Sequence, residues 1–173
     1  MRTYCIDIGH NCRPDTGAVG IKAEDYLTKE VGERVIAKLK ALGHKVVSSL
    51  PRSTTSVSNS LYQRANTANA NNVDVVASIH FNASAGGRGY GTETYYISGE
   101  GKKLAVSVNN ELVKLGFRDR GAKYSGIFYI LRNTRAPAIL VEVAFCDNAG
   151  DMKLVDEVGF DAIANAIVLG LVT

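Results

Sequence analysis

The chain lacks a long apolar run, a basic block and a cysteine framework, and each absence removes a class of protein. No stretch approaches the roughly 20 apolar residues that a membrane-spanning helix needs, so membrane insertion is not expected. At the N-terminus, one arginine followed by Tyr4-Cys5-Ile6-Asp7 is too short and too polar for the apolar core of a secretory signal. The 20 basic residues exceed the 17 acidic ones only enough for a net charge of +3, and they are dispersed. That balance gives no case for nucleic acid, although it suits a modest attraction to an acidic polymer. Three cysteines, Cys5, Cys12 and Cys146, are too few and too odd for a disulfide scaffold, and point to folding in a reducing compartment. No internal repeat or low-complexity linker divides the 173 residues, of which 46% are hydrophobic. One domain spanning 1–173 is therefore expected, with a monomer as the default state.

What is present alternates between helical and strand-like patterns. Thr3 to Ile8 reads as a buried strand, and after a loop from Asn11 to Ala23 the residues Leu27, Val31, Val35, Ile36, Leu39 and Leu42 recur at helical spacing. Gly43 stops that helix, and Val46-Val47 opens a second strand. A Ser/Thr-rich loop, Ser53 to Asn59, leads to a polar helix over Leu61 to Asn71 and then to the strand Val73 to Ile79. The glycine-rich stretch Gly86 to Gly91 reads as a flexible loop before a strand at Thr92 to Ile97. A helix marked by Leu104, Val108, Leu112 and Leu115 ends at Gly116; a polar loop, a buried strand at Ala138 to Phe145 and a last helix over about Phe160 to Leu171 complete the chain. The alternation implies an α/β fold, three layers deep, with a twisted, mostly parallel sheet flanked by helices.

Two histidines occupy equivalent places in this pattern. His10 and His80 each follow a β-branched, apolar run, so each sits at the carboxyl end of a strand, where open α/β sheets gather their ligands. The third, His44, enters a strand and so belongs to the opposite edge; it is excluded. Cys12 lies two residues after His10, which sets a sulfur ligand against a plain loop thiol. Cys5 and Cys146 fall in apolar surroundings and read as core.

Glu142 is the next anomaly. An ionised carboxylate within Ile139-Leu140-Val141-Glu142-Val143-Ala144 costs several kcal/mol of desolvation unless a cation, a reacting water or an arginine such as Arg132 or Arg135 compensates it. Two histidines and one carboxylate form a three-ligand catalytic zinc set, which leaves a fourth position for water and needs a further carboxylate to take its proton. Glu24, at the end of the loop after His10, is the natural second candidate. Asp25 and Glu30 compete with it on spacing alone, and an acid in a first helical turn also has an ordinary role against the helix dipole.

Taken in order along the chain, Asp7-Ile8-Gly9-His10, Gly17-Ala18-Val19-Gly20 followed by Glu24, Ser78-Ile79-His80-Phe81-Asn82-Ala83, and Leu131-Arg132-Asn133-Thr134 through Pro137 to Phe145 resemble the zinc-dependent N-acetylmuramoyl-L-alanine amidases. That family includes bacterial autolysins and bacteriophage endolysins. The resemblance implies that His10, Glu24 and His80 hold one zinc per chain and that Glu142 is the catalytic glutamate. It implies hydrolysis of the amide between N-acetylmuramic acid and the L-alanine of a peptidoglycan stem peptide. One departure stands out: many members carry a glycine pair directly after the first histidine, where this chain has Asn11-Cys12.

Asn82 is a candidate for orienting His80 or the substrate, against the reading of a turn-forming asparagine. Arg132 is a candidate for a stem-peptide carboxylate, against a surface salt bridge. Tyr90, Tyr95 and Tyr96 offer a sugar-binding face, though strand alternation assigns most of them to the core. Two other functions share these features: a zinc peptidase acting on wall peptides, and a non-catalytic wall-binding domain of the same fold. Without a recognisable signal, the expectation is synthesis in the cytoplasm and action on the wall after release, as in phage lysis or mother-cell lysis.

Overall fold

The structure is a computed structural model that describes residues 1–173. Its centre is a six-stranded sheet in which β1 (Thr3–Ile8), β2 (Lys45–Ser48), β3 (Val75–Asn82), β4 (Thr92–Tyr96), β5 (Asp119–Tyr124) and β6 (Ala138–Phe145) take the order β2-β1-β3-β6-β4-β5. All neighbouring pairs are parallel except β4 with β6. The expected α/β fold with a mostly parallel sheet is therefore observed, with one antiparallel step.

Five helices cover the sheet. The residues Leu27, Val31, Val35 and Leu39 of α1 (Glu24–Ala41) recur every fourth position and are fully buried, which fixes that helix to one face. They share the larger core cluster with α3 (Gly99–Val113) and α5 (Ala149–Val172). The other face carries a smaller cluster beneath α2 (Val57–Ala70) and α4 (Tyr129–Asn133). Strand alternation sorts the side chains accordingly. Val75, Ala77, Ile79 and Phe81 of β3 enter the larger core, which leaves Ser78, His80 and Asn82 on the face of α2 and α4.

Four local details differ from the sequence expectation. Helix α2 begins at Val57 because Ser56, inside the expected loop, caps it by accepting from Asn59 N at 3.0 Å. The β3 strand runs on through His80 to Asn82. Strand β5 and helix α4 occupy the segment read as a polar loop. Helix α5 starts at Ala149, capped by Asn148, and bends at Gly159, whose φ of 79° is left-handed; the expected Phe160 helix is its second half.

The chain leaves β1 for β2 on one side and returns to β3 on the other, so β1 and β3 flank the point where strand order reverses. Their carboxyl ends diverge into a crevice there, which is where this architecture places ligands.

Candidate metal centre

His10 and His80 meet in that crevice. Their rings lie edge to face with centroids 4.9 Å apart. Glu24, the first residue of α1, turns its carboxylate away from the helix axis and between them: Oε1 is 3.3 Å from His10 Nε2 and 3.2 Å from His80 Nδ1. The same oxygen accepts from Phe81 N at 3.1 Å, while Oε2 accepts from Ala18 N at 3.0 Å. The rivals on spacing are engaged elsewhere. Asp25 accepts from Gly17 N at 2.7 Å, and Glu30 pairs with Arg34 at 2.8 Å.

These three side chains fit a small divalent cation. One donor atom from each falls within 4.8 Å of the other two. Donors about 2.0 Å from a tetrahedral ion lie about 3.3 Å from one another, so the two Glu24 separations already have the required spacing. Cys12 stands outside the cluster, buried in a bridge to Asp15. His44, as expected, sits far off, accepting from Arg2 N and stacking edge-on to Tyr4.

The surrounding charges hold the donors in place. Asp15 Oδ1 contacts His10 Nδ1 at 2.9 Å, which directs Nε2 towards Glu24. Burial pulls the His10 imidazole down, but its bonds to Asp15 and Glu24 carry it up to about 10. Burial likewise opposes ionisation of Glu24, yet the two histidines keep it well below the usual carboxylate range.

Glu142 behaves differently. It lies opposite His80 in the β3–β6 register and opposite Glu93 in the β6–β4 register, so all three share the face of α2 and α4. No arginine reaches it: Arg135 is engaged with Asn69 and Asn72, and Glu142 Oε2 is shut from solvent without a hydrogen bond. Burial pushes its carboxyl up to about 7, His80 opposing and Glu24 and Glu93 adding. Glu93 is the contrasting acid. Arg120 Nε at 3.0 Å and Lys123 Nζ hold it ionised, below the ordinary range despite burial.

A cleft of about 530 Å³ opens over this face, lined by His10, Glu24, His80 and Glu142 at its floor. Val57 and Leu61 of α2 form one apolar wall, with Ile127 and Phe128 before α4 among the other lining residues. Asn82 and Arg132, both singled out from sequence, also line it. Asn82 donates Nδ2 to Glu93 at 2.9 Å and accepts from Ala83 N at 2.9 Å. Of the three tyrosines, Tyr95 reaches the cleft face and donates to Glu93 at 3.1 Å, Tyr96 faces the larger core, and Tyr90 is exposed beneath the Arg118 guanidinium.

Compared with known proteins, the family model described as N-acetylmuramoyl-L-alanine amidase matches residues 5–173. The chain belongs to that amidase family. Among its curated relatives is the N-acetylmuramoyl-L-alanine amidase LytC of Bacillus subtilis, 37% identical over 99% of this chain. Another is an endolysin of the Bacillus phage SPP1, 32% identical over 90% of the chain. The chain spans 35% of the first and 59% of the second, so it corresponds to one part of those longer proteins. Among solved structures, the catalytic domain of an endolysin targeting Clostridia difficile superposes with a TM-score of 0.92 at 28% identity, covering 99% of this chain and 97% of that one. The catalytic domain of CwlV, an N-acetylmuramoyl-L-alanine amidase from Bacillus (Paenibacillus) polymyxa, gives 0.86 at 32% identity over 99% and 96%.

Several residues around this amidase-family site carry no role that the sequence pattern assigns. Asp15 and Arg64 are the clearest, because they orient His10; Asp7 and Glu93 complete the buried charge network. A signal for Arg64 existed. Ser60, Arg64 and Ala68 repeat every fourth residue on the buried stripe of α2, and an arginine on such a stripe needs buried acids.

Proposed function

We propose that the chain hydrolyses the amide between N-acetylmuramic acid and the L-alanine of the peptidoglycan stem peptide, using one zinc held by His10, Glu24 and His80. The observation that carries this reading is Glu142 Oε2, an unpaired acid beside a three-donor cluster on the floor of a substrate-sized cleft. The family supplies the bond; the side chains supply the means.

When bound in such a site, zinc acidifies a water and polarises a carbonyl. The residues of the chain do the rest. A carboxylate raised to about 7 exchanges protons near neutral pH, which suits Glu142 to accept a proton from the attacking water and return it to the departing amine of L-alanine. Glu93, fixed as an anion by Arg120 and Lys123, contributes to holding that pKa up and anchors Asn82 at the cleft wall. Arg132 lines the cleft with no carboxylate of the protein paired to it, and a planar guanidinium there suits a carboxylate of the stem peptide. The apolar wall of Val57 and Leu61 gives the remaining peptide and lactyl carbons a surface to displace water from.

Incubation with purified peptidoglycan, with and without a chelator, followed by mass identification of the fragments tests the reading. Peptides beginning with free L-alanine and glycan strands left intact are expected, and only without chelator. Cleavage inside the stem peptide would indicate a peptidase instead, and no fragments at all would indicate a binding domain.

A further inference from the structure

The turn that carries His10 is bent against the preference of its own residues. His10 has φ 57° and Asn11 has φ 61°, two successive non-glycine residues in the left-handed region. Each such residue is strained unless its surroundings hold it there. Asparagine tolerates the conformation better than most, because its short amide bonds locally; histidine gains less from it.

Here the surroundings supply a donor to each of three consecutive carbonyls. Arg64, buried on α2, donates Nη1 to Ile8 O and Nη2 to His10 O. Between them, Gly9 O accepts from Asn11 Nδ2 at 2.8 Å and from Thr28 Oγ1 at 3.1 Å, and the Asn11 amide also reaches Thr28 Oγ1 at 2.9 Å. The guanidinium is itself fixed by Asp7 Oδ1 at 2.9 Å and Ser60 Oγ at 3.1 Å. Ser60 also donates to Asp15 Oδ2 at 2.6 Å, so the acid on His10 Nδ1 and the arginine on His10 O share one anchor.

We propose that Arg64 and Asn11 are positioning residues for the metal, clamping the left-handed turn so that His10 Nε2 faces Glu24 and His80 before an ion arrives. The proposal rests on the zinc reading given above. A preformed donor loses less freedom on binding, and partners that orient a ligating histidine change metal affinity about 10- to 100-fold when removed. It also gives Asn11 a reason to stand where many family members have glycine: it keeps the left-handed backbone and adds two hydrogen bonds.

The test is a zinc titration of the purified, metal-depleted chain against a chromophoric chelator, comparing the parent with Asn11→Gly, Asn11→Ala and Arg64→Lys. Thermal melts of the zinc-free proteins run alongside. Asn11→Ala, which loses both the backbone tolerance and the donors, is expected to weaken zinc about 10- to 100-fold. Asn11→Gly, which loses only the donors, should fall between it and the parent, and the zinc-free melts should show both variants still folded at the titration temperature. That ordering is the rescue a merely structural residue would not show. Arg64→Lys, able to serve one carbonyl but not both, should weaken zinc about 10-fold; should it fail to fold, the Asn11 pair decides. Variants that all bind zinc within twofold of the parent would overturn the clamp alone. A parent that binds no zinc would overturn both the clamp and the metal reading beneath it.

Discussion

His80 and Glu142 face each other on β3 and β6, two parallel strands at the middle of the sheet. Their register places a candidate metal donor and an unpaired acid side by side on a rigid ladder, with no loop between them. The acid is thus held beside the donor cluster by backbone hydrogen bonds that a side-chain substitution leaves intact.

Glu142→Gln should therefore separate binding from turnover. Zinc content and peptidoglycan binding are expected to match the parent, while hydrolysis falls by about 10²- to 10⁴-fold, the usual contribution of a positioned acid–base group. Hydrolysis at the parent rate would remove Glu142 from the chemistry.

The same variant carries a stability signature in the metal-depleted protein. The folded pKa of Glu142 is raised from 4.5 to about 7, so the folded state holds the proton more tightly than the unfolded one. Below 4.5 the group is neutral in both states and costs nothing; the cost grows between 4.5 and 7 and is complete above that. Glutamine never ionises. Glu142→Gln should match the parent near pH 4 and exceed it by about 3 kcal/mol near pH 8. Chemical denaturation at the two pH values checks this, and equal differences at both would contradict it.

Asp7 has the opposite sign. Burial opposes its charge, but Arg64 at 2.9 Å and the hydroxyls of Ser78 and Ser49 outweigh it, so its folded pKa lies below 3.8. Its contribution is fully present above 3.8 and is lost as pH falls through the lower folded value. Asp7→Asn leaves the buried Arg64 with only the longer pairing to Asp15 Oδ2 at 3.4 Å and should cost about 2 kcal/mol at pH 7. Denaturation curves of both proteins should converge as the solution is acidified below the ordinary carboxylate range.

Two glycines leave room for the donors. A Cβ on Gly9 would stand 2.6 Å from His80 Cε1 and 2.7 Å from the Ile79 carbonyl, and one on Gly17 would stand 2.6 Å from Glu24 Oε2. Gly9→Ala and Gly17→Ala should each weaken zinc about tenfold or more by moving a donor, although neither residue carries a ligand atom. Isothermal zinc titration checks both, with Gly43→Ala as a control: its left-handed φ makes alanine strained, but nothing lies within 4 Å.

What the sequence made legible was governed by contrast. His10 and His80 could be read because each ends an apolar strand, and Glu142 because it interrupts one. Strand β5 could not, since Asp119 to Tyr124 is a polar edge strand whose Arg120 and Lys123 exist to hold Glu93, a pairing visible only across the sheet. The five residues of α4 are too short for periodicity, and the break at Gly159 hid the first half of α5. Glu24 could not be told from Asp25 by spacing; the difference is that Asp25 is taken by Gly17 N while Glu24 points between two imidazoles. The clamp of Arg64 and Asp15 on His10 joins residues 54 and 5 positions away, and the longer of these reaches appears only once α2 packs on β1.

If His10, Glu24 and His80 together hold one zinc on which hydrolysis depends, metal content and activity must rise and fall together. Zinc content by elemental analysis, measured together with peptidoglycan hydrolysis after stripping and stepwise return of the metal, addresses this coupling most directly. One zinc per chain, activity abolished by stripping and restored at one equivalent, and neither outcome in His10→Ala or His80→Ala are the expected results. A stripped chain that hydrolyses peptidoglycan as fast as the untreated protein would contradict the account.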